Sequence, residues 1–259
     1  MPTPVRVIVT RPENEAARWA RHLRAHGFEP VELPLIVIRP APQPDVLVSA
    51  WLALGGFRAA MFVSGAAVRH FFAARPQQAA WPPVTRAWAT GAGTRQALLD
   101  AGVDAGLVDA PGPHATQFDS EALWEAVAGQ VKPGHRVLIV RGGEAGRNRA
   151  GRDWLSERLM AAGAQVEAVT AYLRAPPEFS AEQLAQARCA ADAGSVWLFS
   201  SSQAIAYLRG LLPGQDWSQA RALATHPRIA QSARQAGFGV VCESRPTEEA
   251  VTAALESFR

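Results

Sequence analysis

The chain has 259 residues, 48% of them hydrophobic and 19% charged, and a formal net charge of +3. It is long enough for two domains of ordinary size, and its composition is typical of a soluble globular protein. No apolar run approaches the ~20 residues that a membrane-spanning helix requires, and the N-terminus resembles neither a signal nor a transit peptide. Cys189 and Cys242 match no metal or redox spacing, so we expect a cytoplasmic protein without a membrane partner.

The first segment of the chain reads as a strand, a helix and a second strand. Residues 5–9 are apolar and precede Thr10-Arg11-Pro12, a helix follows, and residues 30–38 form the second strand. Thr10 is suited to cap the helix, since a threonine hydroxyl can accept from the exposed amides of the first turn. The proline-dense residues 39–44 then predict a stiff, extended connection.

The rest of the chain continues to alternate strands with helices. Seven apolar strands are predicted. Five of them are followed by a turn or a hydroxyl residue and then a helix: residues 60–63 by Ser64-Gly65, 86–89 by Thr90-Gly91, 137–140 by the glycine-rich turn Arg141-Gly142-Gly143, 195–199 by Ser200-Ser201 and 220–224 by Thr225. Residues 166–173 lead into a Pro-Pro exit, and residues 240–242 precede the last helix. This regular alternation predicts an α/β protein with doubly wound parallel sheets.

Four landmarks recur in the same order in two parts of the sequence, which indicates an internal repeat. The strand at 5–9 matches the strand at 137–140, for example, and the strand before Ser64 matches the strand before Ser200. We therefore predict two similar, flavodoxin-like lobes joined by a two-stranded linker. Lobe 1 is discontinuous and comprises residues 1–36 and 176–259, lobe 2 comprises residues 41–168, and the linkers are residues 37–40 and 169–175.

In doubly wound sheets, ligands bind at the carboxyl ends of the strands, where helix N-termini offer free N–H groups to anions. Hydroxyl residues, glycines and arginines follow the predicted strands here, and they indicate a cleft between the lobes for an acidic ligand. The candidates are Thr10, Arg11, Ser64, Gly65, Thr90, Gly91, Arg141, Gly142, Gly143, Ser200, Ser201 and Thr225. At each single position the alternative is that a serine or threonine serves only as a helix cap.

Several catalytic patterns are missing from the sequence. It contains no Ser/His/Asp order, nucleophile elbow, catalytic carboxylate pair or metal-spaced histidines, so we expect no metal. The Gly142-Gly143 segment faintly resembles a dinucleotide loop, but it lacks the G-x-G-x-x-G order and the acidic residue that closes the following strand. We also expect no nucleic-acid partner.

Along essentially the whole chain these residues resemble the uroporphyrinogen-III synthase family. The resemblance rests on an ordered set rather than on one specific motif: Thr10-Arg11-Pro12, Leu33-Pro34-Leu35, Ser64, Thr90-Gly91 with Thr94 and Gly102, Arg141-Gly142 with residues 151–155, residues 163–166, and Tyr172. Family members hold a tetrapyrrole between two lobes.

The resemblance implies a monomeric, cofactor-free, cyclising hydro-lyase of haem, sirohaem and cobalamin synthesis. Its substrate is then hydroxymethylbilane, a linear tetrapyrrole with many carboxylate arms. The enzyme closes it to uroporphyrinogen III, inverting ring D through a spiro intermediate and losing water. Because the linear substrate cyclises unaided to the uninverted isomer, positioning is expected to supply most of the catalysis.

Particular residues take on roles from the resemblance. Tyr172 matches the family's linker tyrosine and is the expected catalytic residue, its phenol donating to the departing hydroxyl. Thr94 matches a threonine that binds or orients a pyrrole arm, and Pro227 lies in a turn whose amides can bind substrate. His226 stands where the family has a glycine, so the side-chain role of this turn is open.

Alternatives to this interpretation stay open at the level of sequence. Tyr172 can instead be a strand tyrosine packed at a lobe junction. The whole chain can instead be a two-lobe binding or sensor protein for an acidic small molecule, or a nucleotide-dependent transferase. Turnover of hydroxymethylbilane separates the enzyme from the binding protein, and measurable nucleotide binding separates the transferase from both.

Overall fold

The computed structural model describes residues 4–77, 79–112, 120–144, 154–192 and 194–259. The chain divides into two compact units. Unit 1 comprises Met1–Val37 and Ala175–Arg259, and unit 2 comprises Ile38–Arg174. Residues 151–153, part of a segment that carries the family resemblance, lie outside the described residues.

Strands and helices alternate along the chain. The strands are β1 (Arg6–Val9), β2 (Glu29–Glu32), β3 (Val37–Pro40), β4 (Ala59–Phe62), β5 (Arg86–Ala89), β6 (Val108–Asp109), β7 (Arg136–Glu144), β8 (Gln165–Ala175), β9 (Ser195–Phe199), β10 (Arg221–Ala224) and β11 (Val240–Glu243). The helices are α1 (Glu13–Ala25), α2 (Pro44–Leu52), α3 (Gly65–Ala73), α4 (Ala92–Asp100), α5 (Ser120–Val127), α6 (Trp154–Ala161), α7 (Ala181–Cys189), α8 (Ser202–Leu211), α9 (Pro227–Gln235) and α10 (Glu248–Glu256). Among the described residues, none of these helices combines the length and the apolar character needed to cross a membrane.

Unit 1 is built on a five-stranded sheet in the order β11-β10-β9-β1-β2. Its neighbouring strands are all parallel. Numbered within the unit, the order is 2-1-3-4-5, which is the flavodoxin-like arrangement. Parallel neighbours need a crossover connection, and α1, α8 and α9 supply it between consecutive strands.

Unit 2 is built on a six-stranded sheet in the order β3-β8-β7-β4-β5-β6. From β8 to β6 the neighbours are parallel. When β7 is matched to β1, these five strands have the same spatial order as the sheet of unit 1. The two units therefore share one fold, although the chain enters it at different strands, and the predicted pair of similar doubly wound lobes is confirmed.

Alternate residues of the unit 2 strands pack on opposite faces of the sheet, as the side-chain period of two requires. On one face Ala60, Phe62, Leu138 and Val140 pack with Trp51 of α2 and Phe71 of α3. On the other face Ala59, Met61, Val137 and Ile139 pack with Leu123 of α5 and Leu155 of α6. Because helices cover both faces, these strands read as continuous apolar runs rather than as alternating ones.

The sheet of unit 1 is covered in the same way. On one face Val7, Val9, Val196 and Leu198 pack with Trp19 of α1 and Leu255 of α10. An aromatic group, Trp197, Phe199, Trp217 and Phe238, is buried on the other face. Within it, Trp217 stacks on Phe238 with ring centroids 5.1 Å apart, and Trp197 meets Trp217 edge-on at 5.5 Å. Aromatic pairs of this kind stabilise a core beyond the area that they bury.

The two segments predicted as linkers are strands, and all of their residues except Val37 and Ala175 belong to unit 2. Residues 37–40 form β3, and residues 169–175 are the second half of β8. The two strands are hydrogen-bonded neighbours in the sheet of unit 2. These strands correspond to the two-stranded linker of the fold prediction, and they satisfy each other's backbone groups along the edge that they share.

The prediction of one strand over residues 30–38 is wrong. The structure has β2 and β3 there, with residues 33–36 outside both strands. Pro34 explains the interruption, because it has no N–H to donate to a ladder. Its neighbours still donate to the end of β1, Leu33 N to Val9 O at 3.0 Å and Leu35 N to Thr10 O at 3.2 Å.

The glycine-rich turn predicted at Arg141-Gly142-Gly143 is also wrong. These three residues lie in β7, which continues to Glu144. The strand β8 runs beside them and pairs Gly142 with Tyr172 and Gly143 with Leu173, across a register shift between Arg141 and Gly142. Pairing with the long strand β8 extends β7 through two glycines, which weaken a strand on their own. The local sequence does not reveal this pairing.

A substitution at Gly239 tests the packing of unit 1. A Cβ at this position would lie 1.9 Å from the backbone oxygen of Ser218, and the Gly239 N–H already donates to Trp217 O at 3.2 Å. We expect Gly239→Ala to lower the free energy of unfolding by about 1–3 kcal/mol, because the backbone must shift. Urea denaturation measures this change.

Gly210→Ala is the matched control for this substitution. Gly210 lies in α8, and an added Cβ meets no atom within 4 Å. Gly210 is the last residue but one of α8, so we expect a gain in stability of at most about 0.5–1 kcal/mol, the value for replacing glycine in a helix interior. Equal effects of the two substitutions would contradict the packing described for Gly239.

Candidate functional site

Parallel pairing brings the carboxyl ends of neighbouring strands to one edge of each sheet. In unit 2 the residues at this edge are Ser64 and Gly65 after β4, Thr90 and Gly91 after β5, and Arg141, Gly142 and Gly143 at the end of β7. In unit 1 they are Thr10 and Arg11 after β1, Ser200 and Ser201 after β9, and Thr225 and Pro227 after β10. The predicted residues are thus divided between two edges, one on each unit.

Ser64 joins the edge of unit 2 to the first turn of α3. It is the N-cap of that helix, and its Oγ accepts a hydrogen bond from the N–H of Ala67 at 3.2 Å. Extended backbone at Ser64 lets β4 pass directly into the helix. The local sequence predicts this cap, since a serine stands between an apolar strand and a helical segment.

Tyr172 lies against this cap. Its phenol oxygen is 3.1 Å from Ser64 Oγ, and either oxygen can be the donor. The side chain is 3% exposed, and it belongs to the apolar cluster that covers one face of the unit 2 sheet. The predicted catalytic tyrosine and the predicted substrate-binding serine are therefore in direct contact, although 108 residues separate them in sequence.

The close approach of Tyr172 to β7 requires glycine at position 142. A Cβ built on Gly142 would lie 2.4 Å from Tyr172 Cζ and 2.7 Å from its phenol oxygen. Gly143 is similarly confined, with Leu173 Cδ2 at 2.7 Å and Thr170 Cγ2 at 2.9 Å from a built Cβ. The two glycines thus leave room for the side chains of β8 beside the backbone of β7.

His70 is a neighbour of Tyr172 that the sequence did not reveal. Its imidazole stacks on the phenol ring with centroids 5.6 Å apart and an interplanar angle of 27°. Burial, and to a smaller degree the nearby Arg69, lowers the pKa of His70. No local pattern marks this residue, because the contact depends on β8, which follows much later in the chain.

The residues that follow β5 differ in their contacts and in their burial. Thr90 donates through Oγ1 to Val63 O at 3.2 Å and so ties the ends of β4 and β5 together. Gly91 is the N-cap of α4, and among the described residues no side chain caps this helix. Thr94 is buried in the first turn of α4. The first-turn amides of α4 are therefore not used by a side-chain cap.

Arg141 supplies positive charge at the end of β7. It is partly exposed, and within the described part of the chain it makes no ion pair. Its guanidinium group can therefore meet a carboxylate from solution without giving up a partner.

Thr10 and Arg11 in unit 1 are both engaged within the protein. Thr10 does not cap α1 as predicted: it is buried and donates to Leu198 O at 2.7 Å, joining the ends of β1 and β9. Arg11 pairs with Glu15 Oε2 at 3.0 Å, and its Cζ lies 4.6 Å from the ring centroid of Trp19. Burial lowers the pKa of Arg11, although Glu15 opposes that shift.

The other strand ends of unit 1 lead into helix caps. Ser201 is the N-cap of α8 and accepts from Gln203 N at 3.2 Å, and Ser200 precedes it. The Thr225 N–H donates to Phe199 O at 3.0 Å, and Pro227 is the first residue of α9. His226 caps α9, since its Nδ1 accepts from Arg228 N at 3.1 Å. Histidine in place of a small residue thus keeps a capping function that the sequence left open.

Comparison with known proteins shows which family the chain matches. A family model described as uroporphyrinogen-III synthase HemD matches residues 17–253 of the chain. The match includes every strand of both sheets except β1, and it includes Ser64, Gly142 and Tyr172, whereas Thr10 and Arg11 precede it.

Two solved structures share the fold along almost their full length. A mutant uroporphyrinogen III synthase from the extremely thermophilic bacterium Thermus thermophilus aligns with a TM-score of 0.57 over 98% of this chain and 97% of its own, at 18% identity. Uroporphyrinogen-III synthetase from Helicobacter pylori aligns with a TM-score of 0.59 over 99% of this chain and 100% of its own, at 14% identity. At such low identities the likeness is one of fold.

Gly142→Ala tests the contact between Tyr172 and β7. Because the added Cβ would overlap the phenol ring, we expect the ring to move and the 3.1 Å contact between Tyr172 and Ser64 to be lost. A crystal structure of the variant measures the distance between the two oxygens. Gly129→Ala is the control, since a Cβ there meets nothing within 4 Å. An unmoved Tyr172 in the Gly142 variant would refute the constraint.

Proposed function

The chain belongs to the uroporphyrinogen-III synthase family, and on that premise we propose how its residues carry out the reaction. Its function is that of the family: it closes linear hydroxymethylbilane into uroporphyrinogen III in tetrapyrrole biosynthesis. The single observation that carries this conclusion is the family match over residues 17–253. We assign the chain to the cyclising hydro-lyases, because ring closure with inversion of ring D releases water.

Positioning of the substrate supplies most of the catalysis. The linear tetrapyrrole cyclises unaided, but to the uninverted isomer, so the protein must hold it where the substituted carbon of ring D attacks. Correct orientation of reacting groups can contribute ~7–11 kcal/mol to a rate. Strong acids or bases are then unnecessary, which agrees with strand ends built from hydroxyls, glycines and backbone amides.

Tyr172 is the proposed donor to the departing hydroxyl. Ser64 Oγ accepts from Ala67 N–H, so its own hydroxyl hydrogen is available to donate to the phenol oxygen. The phenol hydrogen is then available to the leaving group. This chain of hydrogen bonds starts at the N-terminus of α3, whose positive end stabilises charge that develops on the phenol oxygen.

The carboxylate arms of the substrate are the proposed ligands of the strand ends. In unit 2 the amides of α4 and the guanidinium of Arg141 are suited to this role. The remaining predicted contacts are Gly65, Thr90, Gly91, Thr94, Gly142 and Gly143 in unit 2 and Thr10, Arg11, Ser200, Ser201, Thr225 and Pro227 in unit 1. Thr10 and Arg11 have partners within the protein, so their main role is to hold the end of β1.

We further propose a monomer in the cytoplasm that binds no nucleic acid. Both cysteines, Cys189 and Cys242, are free thiols, which suits a reducing compartment. Light scattering on the purified protein tests the monomer, and a dimer mass would overturn that part of the proposal.

Purified protein supplied with hydroxymethylbilane tests the function directly. We expect uroporphyrinogen III in excess over isomer I, separated by chromatography after oxidation to the porphyrins. Heat-denatured protein is the control and gives isomer I from the unaided reaction. If the native protein also gives only isomer I, the chain is a binding or sensor protein rather than an enzyme.

Tyr172→Phe tests the proposed donor. We expect kcat to fall roughly tenfold while isomer III remains the main product, because one neutral hydrogen bond is lost and positioning is kept. Steady-state kinetics measure the change. Tyr207→Phe is the matched control, since Tyr207 bonds to Gln203 within α8 and has no proposed role. An unchanged kcat in the Tyr172 variant would remove this residue from the mechanism.

The dependence of KM on salt tests recognition by charge. Exposed charges are screened over about 10 Å at 0.1 M ionic strength, so we expect KM to rise as sodium chloride is added. The kcat at saturating substrate is the internal control and should not change. A KM that is insensitive to salt would mean that carboxylate recognition does not dominate binding.

A further inference from the structure

The strand ends of unit 2 offer mainly hydrogen-bond donors. Helix amides, hydroxyls and the guanidinium of Arg141 suit the carboxylate arms of a tetrapyrrole. The substrate also carries pyrrole N–H groups, which are donors and need acceptors. A donor that leaves water without gaining an acceptor costs the full desolvation of that group. A neutral side-chain acceptor beside the residues that hold the carboxylates would therefore complement the proposed site.

His70 has the geometry of such an acceptor. It lies on α3 and stacks on Tyr172 at 5.6 Å, so it borders the proposed donor to the leaving group. The side chain is half-buried, and neither ring nitrogen has a hydrogen-bond partner within the described residues. A neutral imidazole carries one N–H and one nitrogen lone pair, and here both lack a partner among the residues that the structure describes.

We propose that the imidazole of His70 accepts a hydrogen bond from a pyrrole N–H of the substrate while its ring holds the phenol of Tyr172. This inference rests on the proposed function and adds a substrate-contacting residue to it. The imidazole meets the pyrrole through its edge, because its face lies on the tyrosine.

The surroundings of His70 keep it in the accepting form. Burial lowers its pKa, and the positive charge of Arg69 lowers it further. The ionisable groups on His70's own helix and on the elements that pack against it are Arg69 on α3, Arg95 and Asp100 on α4, Arg136, Arg141 and Glu144 on β7, and Glu167, Tyr172 and Arg174 on β8. Of these, Arg69 is the charged residue that contributes to the shift. At neutral pH the imidazole is thus uncharged, and protonation at acid pH removes the lone pair that the pyrrole needs.

Two substitutions separate this role from space filling. His70→Phe keeps a flat ring on Tyr172 but removes both nitrogens, whereas His70→Gln keeps an acceptor and a donor without the ring. We expect His70→Phe to lower kcat/KM about tenfold, mainly through KM, and to raise the share of isomer I. We expect His70→Gln to lose less, about threefold. His26→Gln is the matched control, because His26 is exposed on the C-terminal side of α1 in unit 1.

The pH profile gives a readout that packing alone would not move. We expect kcat/KM of the native enzyme to fall on the acid side with an apparent pKa below about 6.5, the ordinary value for histidine. This fall should be absent from His70→Gln and present in His26→Gln. The inference is overturned if His70→Phe matches the native KM and isomer ratio, or if the acid limb persists in His70→Gln. A native enzyme that makes no isomer III overturns the proposed function itself, which is a different result.

Discussion

Parallel pairing of strands governs where the chemistry of this chain can lie. Each β-α turn returns to the same edge of its sheet, so residues that are far apart in sequence become neighbours there. Ser64 and Tyr172 show the effect, since β4, β7 and β8 bring them to 3.1 Å. Because the central strands, such as β4 and β9, are buried on both faces, the strand ends are where polar side chains can be carried without loss of core.

A tyrosine in an apolar cluster needs a partner for its hydroxyl, and this need links the cap of α3 to β8. Ser64 supplies the partner and holds the helix at the same time. The ring approaches the backbone of Gly142 and stacks on His70. These contacts hold the side chain of Tyr172 in one orientation. A reaction that depends on positioning gains from side chains that are already oriented.

Most of the fold could be predicted from local patterns, whereas the neighbours within the site could not. Apolar runs, the serine before α3 and the matching segments of the two halves are readable along the chain and indicate two doubly wound lobes. The extension of β7 through Gly143 is not, since it depends on pairing with β8. Thr10 looked like a cap, but its hydroxyl donates to Leu198 O in β9. His70 had no signal at all, because stacking between distant residues leaves no local pattern.

The two units share a fold but differ in how they can hold an anion. At α9 the imidazole of His226 accepts from the Arg228 N–H, so that amide is already used. At α4, which follows the equivalent strand of unit 2, Gly91 is the N-cap and no described side chain competes for the first-turn amides. Free amides at a helix N-terminus bind anions better than capped ones. The shared fold therefore does not present the same free amides at the strand ends of both units.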